Sequence, residues 1–167
     1  MNYKIRKKER KDCAGIARVI TVAWNETYRG IVSDEFLDSL YINEEVRAQN
    51  SYNNFNKKEN HQYVLEINNE VVGFIKVGKS NVTEYDNCGE IYALYIINKY
   101  KGYGFGKKLI EAGIKELKLM NFDKMVIGCL EGNPSNNFYK LIGGKFIKTR
   151  IFENLQLLEN VYYFEKI

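Results

Sequence analysis

Residues 89–109 read GEIYALYIINKYKGYGFGKKL, and the pattern changes half-way along. Residues 91–97 are aromatic or β-branched almost throughout, which favours a strand with neither face fully wet. A glycine loop follows at residues 101–106, and apolar residues then recur at helical spacing: Leu109, Ile110, Ile114, Leu117 and Met120. A strand, a glycine turn and a helix start aim several backbone N–H groups and the positive end of a helix dipole at one point. Such a point suits a phosphate, and Lys107 and Lys108 add positive charge beside it.

Three kinds of phosphate-binding loop are compatible with a strand that leads through glycines into a helix. A P-loop ends in Gly-Lys-Ser/Thr, whereas Lys107 and Lys108 follow Gly106 here and supply no hydroxyl for magnesium. A dinucleotide-binding fingerprint reads Gly-x-Gly-x-x-Gly in an early βαβ unit, whereas these glycines alternate and lie late in the chain. The third is an acyl-CoA loop, Arg/Gln-x-x-Gly-x-Gly/Ala after a strand, which residues 101–106 resemble with Lys101 in place of Arg or Gln. Taken alone, the loop fits a simple strand-to-helix turn about as well.

Length and composition indicate an ordinary globular protein. The 167 residues suffice for one domain with a substantial core and are too few for two, so residues 1–167 are predicted to form a single domain. Hydrophobic residues make up 45% and charged residues 28%, which argues against disorder. No apolar run approaches the roughly 20 residues that a membrane helix needs. The charged N-terminal segment lacks the apolar centre of a signal peptide, so we expect a cytoplasmic protein with no membrane partner.

The thiols, the histidine and the net charge exclude several other classes. Cys13, Cys88 and Cys129 are an odd, widely spaced set without a CxxC motif, which is typical of reduced intracellular thiols. With His61 as the one histidine, no metal site is expected. The net charge of +4 is mild, and the early Lys/Arg run alternates with acidic residues. We therefore expect no nucleic-acid partner.

The rest of the chain predicts alternating strands and helices. Strands are predicted at residues 3–7, 61–67, 71–77, 124–130, 145–150 and 159–166, with a hairpin turn at residues 68–70. Helices are predicted from Asp12 to Tyr28, over residues 34–40 after the N-cap Ser33, and over residues 134–142 after the N-cap Asn133. Residues 44–55 are compatible with a continued helix, but their apolar periodicity is poor and they are rich in Asn, so a mobile connection is expected there. The order implies an α/β fold in which a mixed sheet carries helices on both faces.

This order, the glycine loop and a second motif together resemble the GCN5-related N-acetyltransferase (GNAT) superfamily over nearly the whole chain. The second motif is NPSNNFY at residues 133–139, followed by a glycine turn at residues 143–144. Its spacing after Asn133 is one residue shorter than the commonest form and agrees with a compact Gly-Gly subfamily. The resemblance implies a single GNAT-like domain that uses acetyl-CoA as the acetyl donor.

The resemblance also implies which residues hold acetyl-CoA. Leu94, Tyr95 and Ile96 would present backbone groups to pantetheine, as a strand edge does to another strand, although all three also suit plain sheet core. The pyrophosphate would be held by main-chain N–H groups of the glycine loop: Lys101, Gly102, Tyr103, Gly104, Phe105, Gly106 and Lys107. The side chains of Tyr103 and Phe105 are then expected to be packing or rim residues. Asn133 and Phe138 would contact the CoA arm, or Asn133 would serve as a helix cap.

Two residues are candidates for proton transfer. An alkylamine has a pKa of about 10.4 and must lose a proton before it attacks a thioester. Glu90 lies four residues before Leu94, an offset similar to that of a basic glutamate in the histone-acetyltransferase branch, and is the candidate base. Otherwise Glu90 is a solvent-exposed or lysine-paired residue. Tyr139 is the candidate acid for the departing thiolate, or else an aromatic residue that packs on the sheet.

Cys129 could in principle carry a covalent acyl group. It lies inside an apolar strand, and no histidine is placed to activate it. A buried thiol has a raised pKa and is inert, so direct transfer is expected instead of a covalent intermediate.

The acceptor site is predicted less closely. The resemblance places one wall of it at the end of the first helix, where Glu26, Tyr28 and Arg29 are candidates and Trp24 is expected to face the core. Tyr92 on the central strand is a further candidate. The resemblance implies that the acceptor is a primary amine. It leaves open whether the amine belongs to a small molecule such as a polyamine or to a protein or peptide, because a shared fold does not define the substrate.

The sequence thus predicts an N-acetyltransferase that moves acetyl from acetyl-CoA directly to an amine in a ternary complex. An acyl-CoA-binding regulatory module with weak or no catalysis is the main alternative. A nucleotide-binding regulator and a partner-binding scaffold are further ones. An exposed strand near the C-terminus would allow a homodimer.

Overall fold

A computed structural model describes residues 1–152 and 155–167 of the chain. The strands in these residues are β1 (Tyr3–Lys7), β2 (Gln62–Ile67), β3 (Glu70–Lys79), β4 (Cys88–Ile96), β5 (Lys124–Leu130), β6 (Lys145–Phe152) and β7 (Leu157–Phe164). The α-helices are α1 (Cys13–Tyr28), α2 (Asp34–Ile42), α3 (Glu44–Asn53), α4 (Phe105–Leu119) and α5 (Ser135–Leu141). The strands form one mixed sheet in the order β1-β2-β3-β4-β5-β7-β6. The predicted α/β class is confirmed.

The chain divides into two compact units. The first contains Met1–Lys76 and Ala93–Gly113, and the second contains Val77–Tyr92 and Ile114–Ile167. Strands β3 and β4 and helix α4 contribute residues to both.

The first unit is built on antiparallel pairing of β1, β2 and β3. Ile5 is opposite Leu65 in the first pair, and Val64 is opposite Phe74 in the second. The turn between β2 and β3 has Asn68 and Asn69 at φ angles of 51° and 66°. Two successive residues in the left-handed region match the twist of the strands, and asparagine tolerates that region, so the predicted hairpin is confirmed.

The core of the first unit lies between α1 and one face of these strands. Its buried members are Ile16, Val19, Val64, Phe74 and Ile97. The apolar residues of α1 recur at helical spacing because one stripe of the helix must face the sheet. Burial of each such side chain contributes roughly 1.5–3 kcal/mol to folding.

Residues 44–53 form a helix, so the expected mobile connection is wrong. Helix α3 has no buried residue, which is why its apolar periodicity is poor. A polar contact attaches it instead: the Arg47 guanidinium donates to the Leu40 carbonyl at 2.9 Å and to Thr21 Oγ1 at 2.7 Å. Hydrophobic patterning does not detect an anchor of this kind.

The second unit contains the parallel part of the sheet. β4 and β5 pair from Cys88 opposite Lys124 to Ile91 opposite Ile127. β7 pairs antiparallel with both β5 and β6. β4 and β5 are parallel because the intervening helix returns the chain to the same end of the sheet.

Candidate active site

The glycine loop adopts the backbone conformation that its sequence requires. Gly102 and Gly104 have φ angles of +84° and +79°, a region that costs other residues steric strain. A Cβ added to either glycine would meet nothing within 4 Å. The glycines are therefore needed for the turn itself and not for close packing.

The loop delivers unpaired backbone amides to the start of α4. The Lys108 amide donates to the Gly104 carbonyl at 3.3 Å, whereas none of the amides of residues 102–107 donates to another group in the described part of the chain. The Lys107 and Lys108 side chains are exposed nearby. Free amides, a helix start and two cations together can bind a phosphate group.

The aromatic side chains of the loop divide into one that packs and one that does not. Phe105 is buried and its ring lies 5.0 Å from the Tyr3 ring in an edge-to-face contact. Tyr103 is 61% exposed. These positions agree with the packing and rim roles expected for the two residues.

Strand β4 places the backbone of Leu94, Tyr95 and Ile96 directly before this loop. Ile96 is buried, and the Tyr95 ring lies 5.7 Å from Phe74 and 6.1 Å from Trp24. The side chains of this segment therefore contribute to the core of the first unit. Their packing leaves the recognition of a ligand to the main chain.

Glu26 supports the turn before the glycine loop. Its Oε2 accepts a hydrogen bond of 2.8 Å from the Asn98 amide, at the start of the 3₁₀ turn Asn98–Tyr100. Trp24 is buried, as expected, and Tyr28 is only 4% exposed with its ring 4.6 Å from that of Trp24. Tyr28 therefore packs in the core of this unit.

Arg29 joins the end of α1 to α2. Its guanidinium donates to Asp34 at 3.0 Å, to Asp38 at 2.6 Å and to the Asn25 side chain at 2.5 Å. Hydrogen bonds first to Asp38 and then to Asp34 raise the pKa of Arg29. The residue is exposed, so these ion pairs contribute little to stability but hold the α1–α2 turn in place.

In the second unit, Glu90 is buried with both carboxylate oxygens engaged. Its exposure is 3%. Oε2 accepts from Ser80 Oγ at 2.9 Å, and Oε1 lies 2.5 Å from Arg150 Nη2. Glu90 is thus neither solvent-exposed nor paired with a lysine, the two arrangements weighed against a base role.

Arg150 and Glu159 are site residues that sequence reasoning missed. They are opposite each other on β6 and β7, and Arg150 Nε lies 2.5 Å from Glu159 Oε1. Both lie over Gly128, where an added Cβ would be 2.4 Å from Glu159 Oε2 and 2.9 Å from Arg150 Nη2. A glycine inside an apolar strand signals such a close approach and was the available clue.

Tyr92 lies at the edge of this cluster. It is 44% exposed, and its hydroxyl donates to the Lys79 carbonyl. Its ring covers Gly78, where an added Cβ would be 2.8 Å from the ring. Burial, followed by the charge of Glu90, raises the pKa of Tyr92, so its hydroxyl stays protonated at neutral pH.

The second motif is held to the sheet by Asn136, another residue that sequence reasoning did not single out. Its amide donates to the Leu130 carbonyl at 2.9 Å, and its Oδ1 accepts from the Tyr162 hydroxyl at 2.7 Å and from the Asn160 side chain at 3.1 Å. Asn133 Oδ1 accepts from the Ser135 amide at 2.9 Å at the start of α5. The N-cap of α5 is Pro134, so the prediction of Asn133 as N-cap is wrong by one residue, and Asn133 forms an Asx-type turn just before the helix.

Tyr139 is buried on α5, next to Phe138 and 6.1 Å from the Tyr162 ring. The glycine turn closes directly under it, because the Gly144 amide donates to the Tyr139 carbonyl at 2.9 Å. A Cβ on Gly144 would lie 2.7 Å from that carbonyl oxygen. This contact explains the second glycine of the motif.

Glu90 and Tyr139 lie on opposite faces of the sheet in the second unit. Glu90 pairs with Val126 and shares its face with the cluster of Cys88, Val126 and Val161. Tyr139 packs on Tyr162, which points to the other face because strand residues alternate. The sheet therefore separates the Glu90 and Tyr139 side chains.

The cysteines and acidic residues show no further reactive centre in the described ranges. Cys13, Cys88 and Cys129 are buried, and burial raises the pKa of Cys129 to about 12. Within residues 1–152 and 155–167, no three His, Cys, Asp or Glu residues are grouped so as to hold a metal ion. No helix in those ranges has the length and apolar character to cross a membrane.

Comparison with known proteins identifies the family. The profile of the acetyltransferase (GNAT) family matches residues 20–143. The chain is 28% identical over 155 residues to YuaI, an uncharacterised N-acetyltransferase of Bacillus subtilis (strain 168), with 89% of this chain and 84% of that protein covered.

Solved structures share the fold. One is the PaiA N-acetyltransferase of Thermoplasma acidophilum in complex with coenzyme A, with a TM-score of 0.70, 20% identity, and 96% and 98% of the two chains covered. Another is YncA of Salmonella typhimurium with its cofactor acetyl-CoA, with a TM-score of 0.64, 19% identity, and 97% and 92% covered. Because the family profile spans most of the chain, the protein belongs to the GNAT family of acetyl-CoA-dependent N-acetyltransferases, as the sequence predicts.

Proposed function

We propose that this protein transfers acetyl from acetyl-CoA directly to a primary amine while both substrates are bound. The observation that carries this proposal is the glycine loop, where the left-handed Gly102 and Gly104 leave the amides of residues 102–107 without partners at the start of α4. Unpaired amides at a helix start suit a pyrophosphate.

The acetyl-CoA site uses both motifs. The amides of residues 102–107 hold the pyrophosphate, whereas the Lys101 amide already donates to the Asn98 carbonyl at 3.0 Å. The main chain of residues 94–96 bonds pantetheine. Asn133 and Phe138 contact the CoA arm. Glu26 positions the loop through its bond to the Asn98 amide.

Proton transfer divides between two residues. Glu90 accepts a proton from the bound ammonium, directly or through water, which leaves a neutral amine to attack the thioester. Tyr139 donates a proton to the departing thiolate. The burial of both residues supports these roles, because a dry surrounding strengthens the electrostatic effect of each group.

The acceptor is an amine of a small molecule such as a polyamine, or of a protein or peptide. Tyr92 supports an acceptor role for this face of β4, because its exposed ring lies beside the negatively charged cluster of Glu90 and Glu159. A homodimer could form through β6, which is the last strand in the sheet order and carries the exposed Phe146 and Ile151.

One observation favours a second candidate, an acyl-CoA-binding module with little catalysis. Arg150 and Ser80 engage both carboxylate oxygens of Glu90, so neither oxygen is left free to bind an acceptor amine. This alternative keeps the glycine loop and needs neither Glu90 nor Tyr139.

The test is calorimetric titration of the protein with acetyl-CoA, with ATP and NAD as competing ligands. We expect a micromolar Kd for acetyl-CoA and a loss of binding in G104V. G30V is the matched control, because Gly30 also has a positive φ of 84° and open space around it but lies outside the loop. Failure of acetyl-CoA to bind, or equal losses in G104V and G30V, would refute the acetyl-CoA site.

Catalysis is tested next by screening amines for thiol release from acetyl-CoA. Release that depends on the amine and falls in both E90Q and Y139F supports the transferase. Tight acetyl-CoA binding without release for any diamine, amino acid or N-terminal peptide supports the binding module.

A further inference from the structure

The cluster around Arg150 contains two buried carboxylates and one guanidinium. Arg150 Nη2 lies 2.5 Å from Glu90 Oε1, and its Nε lies 2.5 Å from Glu159 Oε1. Glu90 and Glu159 are both buried, so water does not replace the guanidinium as their partner. One cation on β6 therefore compensates two anions, one on β4 and one on β7.

The remaining contacts fix the Glu90 carboxylate in one orientation. Ser80 Oγ donates to Glu90 Oε2 at 2.9 Å and is itself held, because it accepts from the Val82 amide at 3.1 Å. Because Gly128 has no side chain, the Arg150 and Glu159 side chains can lie across β5 at that position. A planar guanidinium with two fixed partners holds a carboxylate in a better-defined orientation than a flexible lysine ammonium does.

We propose that Arg150 is a positioning residue that holds Glu90 in place for catalysis, and that Glu159 regulates this hold by sharing the guanidinium. The inference rests on the base role proposed for Glu90. When Glu90 takes a proton from the acceptor amine, the N–H electron pair stays on nitrogen and Glu90 becomes neutral. Arg150 then remains paired with Glu159, so the proton transfer leaves no unpaired buried charge.

Glu90 and Glu159 thus compete for the same guanidinium. Removing the charge of Glu159 would leave Arg150 to Glu90 alone and tighten that pair. Weakening Arg150 would leave two carboxylates close together, which favours protonation of one of them. The two substitutions should therefore change the pH dependence of the reaction in opposite directions.

Of the other titratable groups that face Glu90 among the described residues, all but Glu159 keep their protons at neutral pH. These groups are Cys88 and Tyr92 on β4, Arg150 on β6 and Glu159 on β7. Burial raises the pKa of Cys88 to about 11, and Tyr92 and Arg150 also keep their protons at neutral pH.

The experiment measures kcat/KM against pH for the wild type, E90Q, E159Q and R150K, with the acceptor amine found in the screen. K148M is the control: Lys148 lies on the same strand, and its ion pair with Glu84 is outside the cluster. We expect the acidic limb to move down by about one pH unit in E159Q and up by a similar amount in R150K. K148M should leave the limb unchanged.

Three outcomes separate this inference from the proposed function. Opposite shifts in E159Q and R150K, together with loss of the limb in E90Q, support the inference. Loss of the limb in E90Q without shifts in the other two variants overturns the inference and leaves Glu90 as the base. An unchanged limb in E90Q removes the base role and the inference with it, whereas acetyl-CoA binding by calorimetry still tests the cofactor site. If E159Q does not fold, the R150K profile alone is the test: an upward shift of its acidic limb supports the inference, and an unshifted limb overturns it.

Discussion

Gly128 and Glu159 lie so close together that no side chain fits at residue 128. A Cβ on Gly128 would be 2.4 Å from Glu159 Oε2 and 2.8 Å from its carboxyl carbon. Glu159 cannot swing away without losing Arg150, whose Nε is 2.5 Å from its other oxygen. A glycine in the middle of β5 therefore allows a buried ion pair to lie across the strand.

G128A should destabilise the protein by roughly 1–3 kcal/mol, because the added methyl group forces the buried ion pair apart. Urea denaturation followed by circular dichroism measures the change. A double-mutant cycle with E159A measures the part of this cost that comes from Glu159, since Arg150 Nη2 would still lie 2.9 Å from the added Cβ. Equal costs of G128A with and without Glu159 would show that the contact is not the cause.

Y139F should lower kcat about 10²-fold and leave the Kd of acetyl-CoA nearly unchanged, because it removes the proton for the thiolate but keeps the ring. Thiol release measures kcat, and calorimetry measures Kd. Y163F is the matched control: Tyr163 stacks on Tyr85 with ring centroids 3.7 Å apart, on the face away from α5. A Y139F variant with wild-type kcat would exclude Tyr139 as the acid.

E26A should weaken acetyl-CoA binding about three- to tenfold, because the Asn98 amide loses its acceptor and the turn before the glycine loop loosens. E26Q keeps an oxygen at that position and should bind more tightly than E26A. Calorimetric Kd values for both variants test this. E35A controls for loss of a negative charge, since Glu35 is exposed on the first turn of α2. If E26Q and E26A are equally weak, charge and not the hydrogen bond is responsible.

D12N should lower the free energy of unfolding by about 2 kcal/mol at pH 7, because it weakens a buried ion pair. Arg6 donates to both oxygens of Asp12, at 2.7 and 2.8 Å, and the Glu9 amide donates at 2.7 Å. Burial opposes the charged form of Asp12, but the hydrogen bonds from Arg6 and Glu9 outweigh it and lower the pKa below 3.8.

The sign of the pH dependence follows from that lowered pKa. A carboxylate with a depressed folded-state pKa adds stability above its unfolded value of 3.8, and this is lost as the pH falls through the folded value. The stability difference between wild type and D12N should therefore shrink below about pH 4. D86N, a change at an exposed aspartate, provides the baseline in the same urea titrations. A difference that stays constant down to pH 2 would contradict the assignment.

The elements that the sequence predicts well are those specified by nearby residues. Ser33 caps α2 through the Phe36 amide at 3.3 Å, and Asn68 and Asn69 form the hairpin turn. The strand Lys124–Leu130 has the predicted bounds because its apolar run is uninterrupted. The prediction failed at α3, whose Arg47 anchor reaches Thr21 across 26 residues and carries no apolar signal.

The candidate site divides in the same way. By itself the sequence determined the glycine loop and the Gly143–Gly144 turn, because each depends on backbone conformations and bonds within a few residues. Only the tertiary structure decided that Glu90 is paired with Arg150, 60 residues away, and that both are tied to Glu159. The register of β4, β5, β7 and β6 selects which distant side chains meet, and a charge becomes decisive only where that register also buries it.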